Sequence, residues 1–140
     1  MIDSRTAPYA ALVLRVALGI MFLAHSLYLK VIVFTVPGTV GFYESIGLHG
    51  VFAYLTIFAE IVGGTALILG FQTRLAALAL LPVLVGATWF HSGNGWVFSA
   101  EGGGWEYPVF LIAASLVQAL LGSGAYAVKS PDFFGKKAIA

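Results

Sequence analysis

The chain has 140 residues, 60% of them hydrophobic and 9% charged, with a mean hydropathy of +0.97 and a formal net charge of +1. Seven basic and six acidic residues cannot cover the wetted surface of a soluble domain, where roughly a quarter of residues are charged, so most of the outer surface is meant for lipid. The absence of cysteine excludes disulfides, thiolate metal centres and CxxC chemistry by this chain alone, and the near-zero charge argues against nucleic acid as a partner.

A spanning helix needs about 20 mostly apolar residues, and four stretches qualify: 9–29, 50–70, 73–91 and 105–121. The first carries Arg15 and His25, is too long for a signal-peptide core and lacks a suitable small-x-small cleavage site, so it reads as retained. Residues 31–49 read as a loop. The second span holds Glu60 near its middle, with Gly63 and Gly64 three and four residues on, where small side chains let a neighbouring helix approach. The short turn GFQTR makes the second and third spans antiparallel neighbours. Pro82 predicts a kink in the third, whose small residues Ala76, Ala77, Ala79 and Gly86 permit association with a second copy.

Glycines 93, 95, 102, 103 and 104 are too dense for a helix or a buried strand, so 92–104 reads as a flexible or tightly turned loop, either a connector or a lid. Glu106 and Pro108 open the fourth helix, and a polar tail, 129–140, follows it. The expected architecture is an all-α, multi-pass membrane four-helix bundle forming one domain. Arg5, Arg74, Lys129, Lys136 and Lys137 fall on one side of it and only Lys30 near the other, which places both termini in the cytoplasm. The two longer loops then face the periplasm or the exterior, with Tyr43, Trp96 and Trp105 as interface anchors.

Two polar sets stand out. At a rise of about 1.5 Å per residue, Arg15 lies about 10 Å and Glu60 about 15 Å from the cytoplasmic surface, so an ion pair between them is the simplest way to keep a carboxylate inside a span. Such a pair serves either helix register or proton movement. Near the outer end, His25, His91 and Glu106 come from three helices into one layer, a convergence typical of ligand sites in bundles. Trp96, Trp105 and Tyr107 could stack on a flat ring there. HxxxH and ExxH spacings are absent, so no metal is expected, and no GxGxxG follows a strand to cradle a nucleotide.

The segments LVLRVALGIMFLAHSLYLK, FYESIGLHG, FAEIVGGTALILGFQTRLAAL, ATWFH and GGGWEYPVFLIAASLVQALLGSGAYAV, in this order, resemble the DoxX family of small four-helix bacterial inner-membrane proteins. Glu-x-x-Gly-Gly before Gly-x-x-Thr-Arg, and Gly-Trp-Glu-Tyr-Pro at the last helix, are the specific parts. The family pattern falls on Arg15, His25, Glu60, Arg74, His91, Trp105 and Glu106. Three features depart from it: His25-Ser26 replaces the usual His-Gly, the following lysine is displaced to Lys30, and the ending reads GAYAVKS.

The resemblance implies a four-helix inner-membrane bundle associated with redox metabolism; joined to the outer His25, His91 and Glu106 layer beside the Trp-rich loop, it leads to a membrane subunit of an oxidoreductase system that meets quinone or quinol near the periplasmic face. In that reading His25, His91 and Glu106 exchange protons, and His25, His91, Trp96, Trp105 and Glu106 hold the ring. The bilayer and other oxidoreductase subunits are the expected partners. The competing readings are a non-catalytic anchor or assembly partner, and a small-solute or proton transporter that uses the same buried polar residues.

Overall fold

The computed structural model describes residues 3–128. The tail 129–140, with the lysines at 129, 136 and 137 that entered the orientation argument, lies outside the described residues. Among the described residues all regular structure is helical: α1 (Ala7–Leu23), continuing as a π-helical stretch over Ala24–Val33; α2 (Val36–Ser45); α3 (Val51–Leu69); α4 (Thr73–Ala79); α5 (Leu81–His91), with a short 3-10 turn over Ser92–Asn94; and α6 (Glu106–Leu121).

Among the described residues, three helical runs are long and apolar enough to cross a membrane: Ala7–Val33, Val51–Leu69 and Thr73–Asn94. The apolar helix Glu106–Leu121 is shorter. Around the axis, α1 packs on α3 and α6, α6 on α4 and α5, and α3 on α4. The centre is filled by Leu18, Phe22, Leu67, Ala76, Ala77, Leu80, Leu84 and Ala114. Most large apolar side chains, such as Val13, Phe58, Phe110 and Leu120, point outward, as a lipid-facing surface requires.

The register of α1 against α3 is set at three levels. Arg15 reaches the carbonyls of Leu67 and Ile68, Gly19 lies against Gly64, and the Ser26 hydroxyl donates to the Ile57 carbonyl at 3.1 Å. At the middle level a Cβ on Gly19 would fall 2.6 Å from the Gly64 carbonyl oxygen, and one on Gly64 would fall 3.0 Å from that of Gly19. The two backbones therefore touch, and glycine is the residue that allows it.

Three sequence expectations change here, and one holds. The first helix does not stop at residue 29 but runs through Lys30 to Val33. Residues 31–49 are not only a loop: they hold α2, whose Thr35 cap accepts from the Gly38 N–H at 3.2 Å, with Pro37 in the first turn. This cap and proline are a start signal that hydropathy alone passes over. The kink expected from Pro82 is present as a break between α4 and α5 at Leu80, because Pro82 has no N–H to donate back to Leu78. Lastly, Ala76 and Ala77 belong to the core, so only Ala79 and Gly86 of the small-residue set face outward.

Candidate functional site

The opposite ends of the bundle are held by different chemistry. At the end where the described chain starts and stops, the Arg15 guanidinium is 1% exposed and surrounded by backbone carbonyls. Its Nε donates to Ser123 O at 2.9 Å, Nη2 to Ala125 O at 2.9 Å, and Nη1 to Leu67 O at 3.1 Å and to Ile68 O. The last carbonyls of α3 have no donor within their own helix, and a cation there offsets the negative end of its dipole. Gly70 ends α3 at φ 72°, a conformation favouring glycine, and a Cβ on it would lie 3.0 Å from Arg15 Cζ. Arg15 therefore staples the segment after α6 to the end of α3.

The Arg15–Glu60 ion pair is not formed. Glu60, 3% exposed, takes Lys30 instead: Lys30 Nζ lies 2.7 Å from Oε2 and 2.9 Å from Oε1. Two facts defeat the depth argument. Arg15 is consumed by carbonyls seven and eight residues further along α3, about 10–12 Å from Glu60. Because the first helix extends to Val33, Lys30 sits on a helix rather than in a loop, and its flexible stem folds back toward the interior.

Several further polar groups gather around this pair. His25 Nδ1 lies 2.8 Å from the Met21 carbonyl; since a carbonyl only accepts, Nδ1 carries the hydrogen, and in the neutral ring Nε2 is the acceptor. His25 lies within electrostatic range of Glu60, as does the phenol of Tyr43 on α2. Tyr43 donates to Thr56 Oγ1 at 3.1 Å, and burial pushes its phenol above the ordinary tyrosine value, the Thr56 bond opposing and the Glu60 charge reinforcing that shift. Thr39 on α2 donates to the Lys30 carbonyl at 2.8 Å, closing α2 over the π-helical stretch. An i→i+5 segment of this kind recurs at functional sites, and here it carries His25, Ser26 and Lys30.

The layer expected from His25, His91 and Glu106 is only partly assembled. The His25 ring stacks near that of Tyr107, at 6.4 Å between centroids and 28° between planes, so α6 meets the first helix beside Glu106. His91 Nδ1 lies 3.0 Å from the carbonyls of both Gly102 and Gly103, and Asn94 Nδ2 donates to the same two oxygens. Glu106 Oε1 accepts from the Phe98 N–H at 2.8 Å. With Trp105 N donating to Gly95 O and Glu106 N to Trp96 O, both at 3.1 Å, the loop is tightly turned rather than loose. His91 and Glu106 are its fastenings.

The two tryptophans meet edge to face, 4.5 Å between centroids at 90°, so they do not form parallel plates around a ring. What this end offers is a mostly apolar groove of about 500 Å³ between the loop and α6. Trp96, Phe98, Tyr107, Val109 and Phe110 line it, with Glu106 as its carboxylate. Among the described residues no cluster of three or more His, Asp or Glu side chains is arranged to hold a metal ion. Lys30 is the functional candidate that reasoning from depth missed; its displacement from the family position was the available signal.

Comparison with known proteins places this geometry in a family. The family model described as DoxX matches residues 10–93, more than half of the chain. A protein named "Putative oxidoreductase CatD" from Bacillus subtilis (strain 168) is 32% identical over 126 residues, covering 90% of this chain and 89% of the relative. No solved structure matches the chain significantly.

Proposed function

Since the chain belongs to the DoxX family and is a membrane protein, we propose that it is a four-span subunit of a redox system in the bacterial inner membrane that binds quinol or quinone near the periplasmic face. The oxidoreductase assignment rests on the name of the Bacillus relative. In this orientation Arg5 and Arg74 lie on the cytoplasmic side, following the rule that basic residues stay inside. The shorter helix Glu106–Leu121 is then the fourth span.

The single observation that carries the ligand is the groove beneath the loop. Its walls are aromatic and aliphatic, it opens beside lipid-facing α6, and Glu106 contributes one carboxylate to its lining. A quinone ring with an apolar tail needs an apolar slot plus one or two polar contacts. Glu106 already accepts the Phe98 N–H through Oε1, leaving Oε2 as a further acceptor. An acceptor-only carboxylate suits the hydroxyl of a quinol better than the carbonyl of a quinone, while the Tyr107 hydroxyl can donate to either. Trp96 forms the wall, Trp105 buttresses it edge-on, and His91 holds the loop that closes it.

The anchor reading has one specific observation in its favour: His91 and Glu106 both spend hydrogen bonds on the loop's own backbone. Purification of the protein with its native lipids, followed by quantification of co-purifying quinones and proteins, separates the two. Near-stoichiometric quinone that is lost in Trp96→Ala, and kept in the lipid-facing control Trp89→Ala, is the expected result. A stoichiometric enzyme partner with no quinone would replace this function by that of a membrane anchor.

A further inference from the structure

We propose that Lys30 and Glu60 form a buried proton-holding site, reached from the groove through His25. The assignment deepens the quinol reading and rests on it for the source of the proton. It begins from cost: an amine and a carboxylate inside an apolar bundle are harder to bury than apolar side chains of the same volume, and packing alone would not call for them. The pair is also not isolated. Among the described residues, the titratable and charged groups that face Glu60 are Lys30 and His25 from the first helix and Tyr43 from α2.

His25 is placed between the two sites. Its ring lies near that of Tyr107, a wall of the groove, and it is within electrostatic range of Glu60. Its Nδ1 hydrogen is committed to Met21 O, so proton traffic falls to Nε2. The Lys30 side chain is 19% exposed while that of Glu60 is 4% exposed, so the pair is closed around the carboxylate and open on the side of the amine.

The proton step balances without any electron transfer. A quinol hydroxyl in the groove gives its proton to His25 Nε2, directly or through the Tyr107 hydroxyl, and the electron pair of the O–H bond stays on the quinol oxygen. The imidazolium then passes a proton to a Glu60 oxygen, which restores neutral imidazole and leaves a carboxylic acid. Lys30 keeps its three hydrogens and its charge throughout, and its ammonium is freed to turn toward the open side.

Infrared difference spectroscopy of the full chain in lipid nanodiscs, titrated in H2O and D2O without quinone, tests this. The expected result is a carboxylic-acid carbonyl band that grows as pH falls, shifts in D2O, disappears in Glu60→Gln and persists in Glu106→Gln. His25→Phe should retain the band but slow its deuterium shift by at least tenfold. A band lost in Glu106→Gln but kept in Glu60→Gln, or a His25→Phe variant that exchanges as fast as the parent, overturns the assignment. If Glu60→Gln alone fails to fold, the charge-free pair Lys30→Gln/Glu60→Gln takes its place, and survival of the band there refutes the site. Adding a short-chain quinol separates the two ideas: quinol that quenches Trp96 fluorescence without enlarging the Glu60 band defeats the proton site and leaves the groove. A Glu60 band that titrates in protein showing no quinol quenching upholds the proton site and defeats the quinol reading.

Discussion

Removing the Lys30 ammonium should destabilise the protein more than removing both members of its ion pair. With N···O separations of 2.7 and 2.9 Å, the attraction at an effective dielectric near 20 is about 6 kcal/mol. Taking both ions out of water offsets most of it, at several kcal/mol per ion, so the pair as a whole contributes little net stability. Truncating one partner is different, since it leaves a charge buried without its counter-ion. Lys30→Met should therefore cost about 3–5 kcal/mol, and Lys30→Met/Glu60→Gln clearly less than the sum of the single changes. The control is Arg15→Met with Glu60→Gln: Arg15 bonds α3 carbonyls about 10–12 Å from the carboxylate, so these two changes should add to within about 0.5 kcal/mol. Unfolding followed by helical circular dichroism in mixed micelles supplies the four corners of each cycle. Coupling between Arg15 and Glu60, with none between Lys30 and Glu60, would refute the reasoning.

Other predictions concern the helix crossing, the loop and the α2 cover. Gly64→Val puts a Cβ 3.0 Å from the Gly19 carbonyl oxygen and 3.2 Å from Phe22 Cβ, with two methyl groups beyond it; the forced separation of α1 and α3 should cost about 1–3 kcal/mol, read as a lower melting temperature. Glu106→Ala removes the acceptor of the Phe98 amide, worth about 1 kcal/mol. Amide exchange at Phe98 should accelerate about fivefold, while Glu106→Gln, which keeps an acceptor oxygen, should change it little. Tyr43 holds its proton more tightly when folded than when unfolded, because burial disfavours the phenolate. Its contribution to stability is thus complete below about pH 10, the unfolded tyrosine value, and is lost as pH rises from there through the folded value. Tyr43→Phe should flatten that alkaline loss in a stability–pH profile.

Much of the architecture was legible because lipid leaves so few options. Long apolar runs with sparse charge must form helices, since every backbone N–H and C=O in hydrocarbon needs a partner within the chain. Pro82 announced a break, Gly63 and Gly64 announced a close contact, and the glycines near the last span announced tight turns, all from the local consequences of those residue types. The cover helix α2 is hidden from hydropathy, which over 31–49 does not distinguish a short helix from a loop; the Thr35 cap and Pro37 are the local signal that does. The end of the first helix was likewise misplaced by four residues, enough to remove Lys30 from the bundle.

The candidate site divides along the same line. That His25, Glu60, His91 and Glu106 are unusual follows from their type and position alone, because ionisable groups in apolar segments carry a cost that something must offset. Which group offsets which is a question of three-dimensional register. Arg15 and Glu60 match by depth, yet the terminal carbonyls of α3 and the segment after α6 meet Arg15 first, and the π-helical extension delivers Lys30 to Glu60. Sequence by itself determined that the chain is helical, apolar outside and polar at a few interior points, since those properties come from residue chemistry and from hydrogen bonding within single helices. Tertiary structure alone decided the partners, since a long basic side chain can reach several acceptors and only the packing of its neighbours leaves one within about 3 Å.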